Sequence, residues 1–286
     1  MGTRRGWHAR RDPAHGPQLE QVDDDRAHKA GGTAELQTRT AGHYDSHPFD
    51  FLTAADEARI EDWQPRPFRR FVETYLQPGQ RIAEIGCGPG RGTLYLMRRE
   101  FAVIAVDLSF GSLLLARRRA PDAVYIAATN LQLPLPDGAF DAVVSDGVIH
   151  HTPDPRRAFA ENVRVLKPGG HLYLAVYNRH GYYYYFYTHL GVPIRWLEKK
   201  RWGRWLIRST LLPVYYFVHL VKSRGRRTWR GARHFFYDYI ITPRASFHSK
   251  DEIEAWGRTA GLSLLDYDPA VGNVHAFIFR KNEELR

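Results

Sequence analysis

Cysteine is almost missing from this chain: Cys87 is the single one among 286 residues. That excludes a disulfide framework and fits a reducing compartment. The chain also lacks an apolar stretch at its start, where MGTRRGWHARRDPAHG is basic and polar rather than the apolar segment a secretion signal needs. It reads as cytoplasmic, with peripheral contact at the inner membrane face left open. A membrane-spanning helix needs about 20 apolar residues. The most apolar run, Trp205 to Val221, has 17 and contains Arg208, Pro213 and His219. Acidic residues are scarce in one place: between 179 and 248, Glu198 and Asp238 stand against 14 Lys and Arg. The rest of the chain holds 27 basic and 29 acidic residues, so this segment carries the whole excess behind the net charge of +10. Such an asymmetry is a statement about partners rather than about fold.

What is present is 43% apolar residues, enough for a full core and too many for a disordered chain. The length suits one large domain, or one domain with an insertion. Residues 1–40 mix Arg, Asp, Gly, His and Pro with little apolar periodicity and are expected to form a mobile arm. From Tyr44 the character changes. Thr53 before AADEARIEDW reads as a helix N-cap, and Phe68, Phe71, Val72 and Tyr75 fall at helical spacing.

The organising stretch is RIAEIGCGPGRGT, residues 81–93. Short apolar residues lead into Glu84, then Gly86, Gly88 and Gly90 alternate, and Leu94, Leu96 and Met97 open a helix. A buried strand, a glycine turn and a helix N-terminus in that order form a ligand platform, and the glycines let backbone approach the ligand closely. A dinucleotide turn needs glycine at its first, third and sixth positions. Counted from Gly86, the sixth is Arg91, which argues against NAD or FAD. Cys87 inside the turn is a small residue that fits there beside the ligand. A second apolar run, AVIAVDLS, ends in Asp107 about 20 residues after the glycines, where a carboxylate can accept both ribose hydroxyls of an adenosine.

The pattern then alternates. Strands are expected at 81–86, 102–107, 123–128, 141–146 and 171–177, with helices at 92–100, 110–119 and 155–166. Ser249 caps a helix over 249–262, and LSLLDYD and VHAFIFR read as the last two strands. PDGAF (136–140) and KPGG (167–170) read as turns before strands. Alternation of this kind gives a parallel sheet with helices on both faces and a ligand at the strand carboxyl ends.

Taken together, EIGCGPG, VD, LPLPDGAFD and LKPGG in this order resemble a class I S-adenosylmethionine-dependent methyltransferase, near the ubiquinone/menaquinone-biosynthesis type. The likeness is strong over 81–178 and extends in outline over 70–286. It implies a three-layer Rossmann-like α/β fold, mostly parallel with an antiparallel last strand. Residues 41–178 and 249–286 would form the methyltransferase domain, and 179–248 a cap inserted after the fifth strand. It also implies S-adenosylmethionine as cofactor and no metal. On that resemblance Glu84 binds the methionine amino group, Gly86, Cys87, Gly88 and Gly90 lie against methionine and ribose, and Asp107 holds the ribose hydroxyls with Leu108 beside the adenine. Thr129 and Asn130 stand where an acid often accepts from the adenine amino group, and Ser145 lies at the fourth strand end. Helices before the first strand commonly roof the cofactor, which makes Tyr44 and Phe49 candidates.

His150, His151, His180 and Tyr182 are the candidate bases, needed only when the methyl acceptor must lose a proton. The cap holds 18 of the 38 aromatic residues. Its aromatics line a pocket, or it lies on an anionic membrane surface through KSRGRRTWRGAR (222–233), or it simply packs on its own core. Aromatic and basic together suit an apolar acceptor with an anionic handle, small or lipid-linked, methylated on oxygen or carbon. Three alternatives stay open: an RNA methyltransferase, a cofactor-binding protein without transferase activity, and a cyclase that uses the same cofactor. No separate RNA module is evident, and SDGVIHH stands where several base-methylating families carry an Asn-Pro-Pro-Tyr motif.

Overall fold

The computed structural model describes residues 18–46, 52–222, 228–271 and 273–283. Phe49 and residues 223–227 of the basic run lie outside them. A long helix α1 (Gln18–Ser46) comes first. Residues 18–40, expected as an arm, are helical, and of them Gln37 and Thr40 line the cavity described below, while residues 1–17 lie outside the description. Helix α2 (Ala54–Ala58) starts where Thr53 predicts it: the Thr53 hydroxyl accepts from the Asp56 amide at 3.2 Å and the Asp56 carboxylate accepts from the Thr53 amide at 2.9 Å. Such a reciprocal cap satisfies donors that a helix start otherwise leaves unpaired. Helix α3 (Arg66–Tyr75) follows, and its Phe68, Phe71 and Val72 are buried.

The sheet then builds by alternation: β1 (Arg81–Ile85), α4 (Arg91–Met97), β2 (Ala102–Asp107), α5 (Phe110–Arg119), β3 (Val124–Ala127), β4 (Phe140–Asp146), α6 (Pro155–Val165) and β5 (Leu166–Tyr177). KPGG is part of β5 rather than a turn before it. Leu166 pairs with Phe140, and a register shift then brings His171 opposite Ala142. Five short helices fill the segment up to 241: α7 (Tyr182–Tyr185), α8 (Gly191–Glu198), α9 (Arg201–Leu206), α10 (Leu212–Lys222) and α11 (Trp229–Phe236). π-helical turns Phe186–Leu190, Ile207–Leu211 and Tyr237–Ile241 interrupt or extend them. Helix α12 (Lys250–Thr259), capped by the Ser249 hydroxyl, leads into β6 (Leu262–Val271) and β7 (Val274–Lys281).

Spatial order in the seven-stranded sheet is β3-β2-β1-β4-β5-β7-β6, parallel throughout except for β7, which runs antiparallel to both neighbours. Strand order reverses between β1 and β4, and crevices at such a reversal are where ligands bind in open α/β sheets. The side chains alternate as a sheet covered on both faces requires. On β5, Tyr173 and Ala175 join Phe68, Phe71 and Tyr95 on one face, while Leu172, Leu174 and Val176 join Phe159, Ile253 and Phe277 on the other. Between β5 and α12 the helices have a core of their own, from Ile207, Leu212, Phe236, Tyr237 and Ile240. No helix among the described residues is long and apolar enough to cross a membrane.

Candidate active site

Beyond the carboxyl ends of β1, β2 and β4 lies a cavity of about 540 Å³, within the range that holds a nucleoside-sized ligand. Its floor is the glycine turn. The amides of Gly86 and Cys87 donate to the Val106 carbonyl at 2.7 and 3.1 Å, which ties the turn to β2. Gly86 has φ +77°, and a Cβ there would meet the Val148 side chain at 2.3 Å. At Gly88 a Cβ would meet nothing within 4 Å, so this backbone lies open to the cavity.

Gly90 does a different job from the one expected. It is absent from the cavity lining, and a Cβ on it would stand 2.8 Å from the Ala116 Cα of α5. With φ +83° as well, Gly90→Ala should lower unfolding free energy by about 1–3 kcal/mol, read as a lower denaturation midpoint; an unchanged midpoint would contradict this packing role. The close approach of helix to sheet falls at Gly92, whose Cβ would overlap Glu84 Oε1. Arg91, at the sixth position, turns to the cavity and pairs with Asp146 at 2.8 Å.

Glu84 is buried and accepts from the Thr93 hydroxyl at 2.5 Å. Burial pushes its carboxyl up to about 8 despite that bond and despite Arg91. Asp107 accepts from the Gly88 and Ser109 amides, both at 2.8 Å, and burial raises its pKa too. Glu84, Asp107, Asp146 and Asp238 all line the cavity, against Arg91 and Arg119. Both arginines are engaged, Arg91 with Asp146 and Arg119 with Glu57 at 2.6 Å. The cavity of a strongly basic protein is thus acidic. A ligand bearing an ammonium and a sulfonium fits it, since opposite charge stabilises carboxylates that burial penalises.

Helix α1 roofs this floor. Gln37, Thr40 and Tyr44, one helical face, line the cavity, and the Gln37 side-chain amide donates to the Thr129 hydroxyl. Asp45 accepts from the Ser109 hydroxyl at 2.6 Å and the Gly111 amide at 3.0 Å, which docks α1 on the start of α5. Leu108, Thr129 and Asn130 line the same end, and the Asn130 side-chain nitrogen is buried with no partner among the described residues. The orphaned Asn130 donor suits a ring nitrogen of an adenine, whereas the Thr129 oxygen, expected to accept from the adenine amino group, already accepts from the Gln37 side chain and the Leu131 amide and has only its own proton left to give.

The candidate bases separate. His180 and Tyr182 lie outside the cavity: the His180 amide is tied to the Asn178 side chain at 2.9 Å, and Tyr182 is 72% exposed. Ser145 is fully buried and is not part of the lining. His150 and His151 do line it, and they differ. His150 Nδ1 accepts from the Tyr177 amide at 3.3 Å, so its proton sits on Nε2, which finds no partner among the described residues. Burial first, then its histidine neighbours, hold it well below the usual range. His151 Nδ1 meets the Arg244 carbonyl at 2.7 Å, which fixes the proton on Nδ1 and leaves the Nε2 lone pair. Its pKa falls to about 4 through burial, so it is neutral at pH 7. The insertion sets this geometry, because Ser246 also donates its amide to the His150 carbonyl at 2.8 Å.

One group escaped the sequence reading. Asp238, from the basic insertion, enters the cavity beside Phe235 and Tyr239 and accepts from the Tyr44 hydroxyl at 3.3 Å. Burial raises its carboxyl to about 7. The signal was its isolation as one of two acids in that segment, although nothing in the spacing pointed it inward.

A doubly covered sheet reversing at a glycine turn, with Glu84 and Asp107 at adjacent strand ends, defines a class I S-adenosylmethionine-dependent methyltransferase. The chain belongs to that family. Residues 83–174 match the methyltransferase-domain family model. The demethylmenaquinone methyltransferase of Symbiobacterium thermophilum is 33% identical over 244 residues, 82% of this chain and 85% of the relative. That of Renibacterium salmoninarum is 36% identical over 117 residues, a match spanning 40% of this chain and 49% of that relative. Among solved structures, a SAM-dependent methyltransferase of Methanosarcina mazei superposes with a TM-score of 0.50 at 19% identity, over 75% of this chain and 98% of that one, and shares the fold.

Proposed function

We propose that the enzyme methylates a hydroxylated aromatic acceptor carrying an apolar tail, of the demethylmenaquinol kind. The observation that carries this is Asp238, which enters the cavity with Phe235 and Tyr239 of the insertion and is held by the hydroxyl of Tyr44, whose ring lies 6.1 Å from that of His151. The curated relatives support it, because they act on demethylmenaquinone by name. Such an acceptor partitions into bilayers, so its route to the site begins at a membrane surface.

The cofactor supplies an electron-poor methyl carbon. Glu84, Asp107 and the Gly86–Gly88 backbone would hold it, with Thr129 and Asn130 at the adenine. Phe235, Tyr239 and Tyr177 surround the acceptor ring and exclude water, while Asp238 accepts the proton that the acceptor hydroxyl gives up as its ring or oxygen attacks. Held by Glu84, Asp107 and the glycine turn, the cofactor would supply both the methyl group and a neutral thioether as leaving group, so the chain itself has only the acceptor proton to take up. His151 Nε2 is the second acceptor for that proton. Positioning and desolvation do most of the catalytic labour in such a transfer.

The test is transfer of label from S-adenosylmethionine to chemically reduced demethylmenaquinone, with bulk transfer RNA as the competing acceptor. Label in the organic extract is expected; label retained on RNA, or none transferred, would refute the proposal. Asp238→Asn should lower kcat on the order of 100-fold while leaving cofactor affinity unchanged. At saturating cofactor the wild-type kcat should climb through pH about 7, where Asp238 ionises, and the variant should lose that rise. A variant with the wild-type profile would remove Asp238 from the reaction.

A further inference from the structure

Seen from outside, the insertion has a second face that the reaction does not use. Helices α9 and α10 are joined through the π turn Ile207–Leu211, and their buried seam runs Gly203, Ile207, Leu212. The steps are four residues and then five. A π turn takes up one extra residue, so the seam stays on one side through both helices. Two positions after each of two seam residues, on the far side, come Trp205 and Val214, 70% and 63% exposed. Phe217 and Val221 continue from Val214 at helical spacing, 65% and 62% exposed. Trp202, one turn before Trp205, is 57% exposed and meets Trp196 of α8 with ring centroids 6.2 Å apart. Most of the exposed large apolar side chains among the described residues belong to the insertion. Arg201, Arg204 and Arg208 line a shallow groove together with Trp205.

We infer that this ridge docks the enzyme on an anionic lipid bilayer. Tryptophans and aliphatic side chains enter the headgroup boundary, and the flanking arginines meet lipid phosphates. The charge pattern selects this occupant. Of the two acids between 179 and 248, Asp238 is turned into the cavity, which leaves Glu198 alone against 14 basic residues. A second copy laid symmetrically on the ridge would bring like-charged arginines together, whereas an anionic bilayer neutralises them. A helix lying flat in the headgroup region uses one apolar side only and needs no spanning length. The inference stands on this surface alone and holds whichever acceptor the cavity takes.

The experiment is co-sedimentation of the full chain with vesicles of phosphatidylcholine alone and of equimolar phosphatidylcholine and phosphatidylglycerol. Binding to the anionic vesicles is expected at low salt. It should weaken as salt screens the arginines, and brominated lipid should quench the tryptophan fluorescence. Trp205→Ser with Phe217→Ser, and separately Arg201→Glu with Arg208→Glu, should each lower the partition coefficient about tenfold or more. Helical content by circular dichroism and cofactor affinity should stay as in the wild type, because these side chains point away from both cores. No binding of the wild type to anionic vesicles at low salt, or equal binding to neutral and anionic vesicles, would overturn the inference. So would a concentration-dependent dimer, seen by light scattering, that the same substitutions abolish. Vesicle binding is read without turnover, so failure here is distinct from failure of the acceptor assignment.

Discussion

Asp107→Ala should weaken S-adenosylmethionine binding at least 100-fold and leave a folded protein. Asp107 ends β2 and is fixed by the Gly88 and Ser109 amides, so its carboxylate is aimed before any ligand arrives. Each charge-assisted bond to a ribose hydroxyl contributes about 1.5–3 kcal/mol, and two such bonds exceed a 100-fold change in affinity. The same residue also holds the glycine turn, so part of the loss would come from a looser floor. The two contributions separate in a cycle with the 2′-deoxy analogue of S-adenosylhomocysteine. That analogue should bind the wild type more weakly than its parent does, yet match the parent in the variant. Calorimetric titration gives the affinities and circular dichroism checks the fold. Unchanged affinity in the variant would remove the ribose role from the end of β2.

The strand ends were the most legible part of this chain because their chemistry and their pattern coincide. Apolar runs stop at Glu84 and Asp107, and the observed strands end within two residues of the expected positions. Helix starts were legible where a capping side chain marks them, at Thr53 and Ser249. Helix α1 was not. Its working face is Gln37, Thr40 and Tyr44, polar groups that meet a ligand cavity, so no apolar stripe announces the helix, and its docking rests on Asp45 rather than on core residues.

The insertion misled in two ways for related reasons. Aromatic richness suggested a lined pocket, yet Tyr183 and Tyr187 of the insertion pack with Phe247 against Tyr177 of β5, and among the described residues of the insertion the aromatic ones that reach the cavity are Phe235 and Tyr239. Asp238 was hidden by its basic surroundings: a local charge count describes the outer surface, and this acid faces inward. His180 and Tyr182 looked close to the site along the chain, but the turn after β5 carries them outward, while tertiary packing through Arg244 and Ser246 orients His150 and His151.

Proton linkage at Glu84 makes the second large prediction. With its carboxyl at about 8 in the ligand-free protein, Glu84 is mostly protonated at pH 7, and pairing with the ligand ammonium requires the carboxylate. Binding should therefore release a proton, and affinity should rise about tenfold per pH unit up to pH 8. Above that it should turn over as the ligand's own α-ammonium, with a pKa of about 7.7–8.0, loses its proton. Glu84→Gln should abolish the rise and weaken binding about 100-fold at pH 8, while approaching the wild type at pH 6, where Glu84 is itself neutral. Titrations in two buffers of different ionisation enthalpy would count the proton. Stability runs in the opposite sense without ligand. A carboxyl whose folded pKa lies above its unfolded value of 4.5 costs the folded state progressively as pH rises from that value through 8. The Gln variant should therefore melt higher than the wild type at pH 8 without cofactor, and lower with saturating cofactor. A wild type whose affinity is flat from pH 6 to 8 would show that the cation sits elsewhere in the cavity.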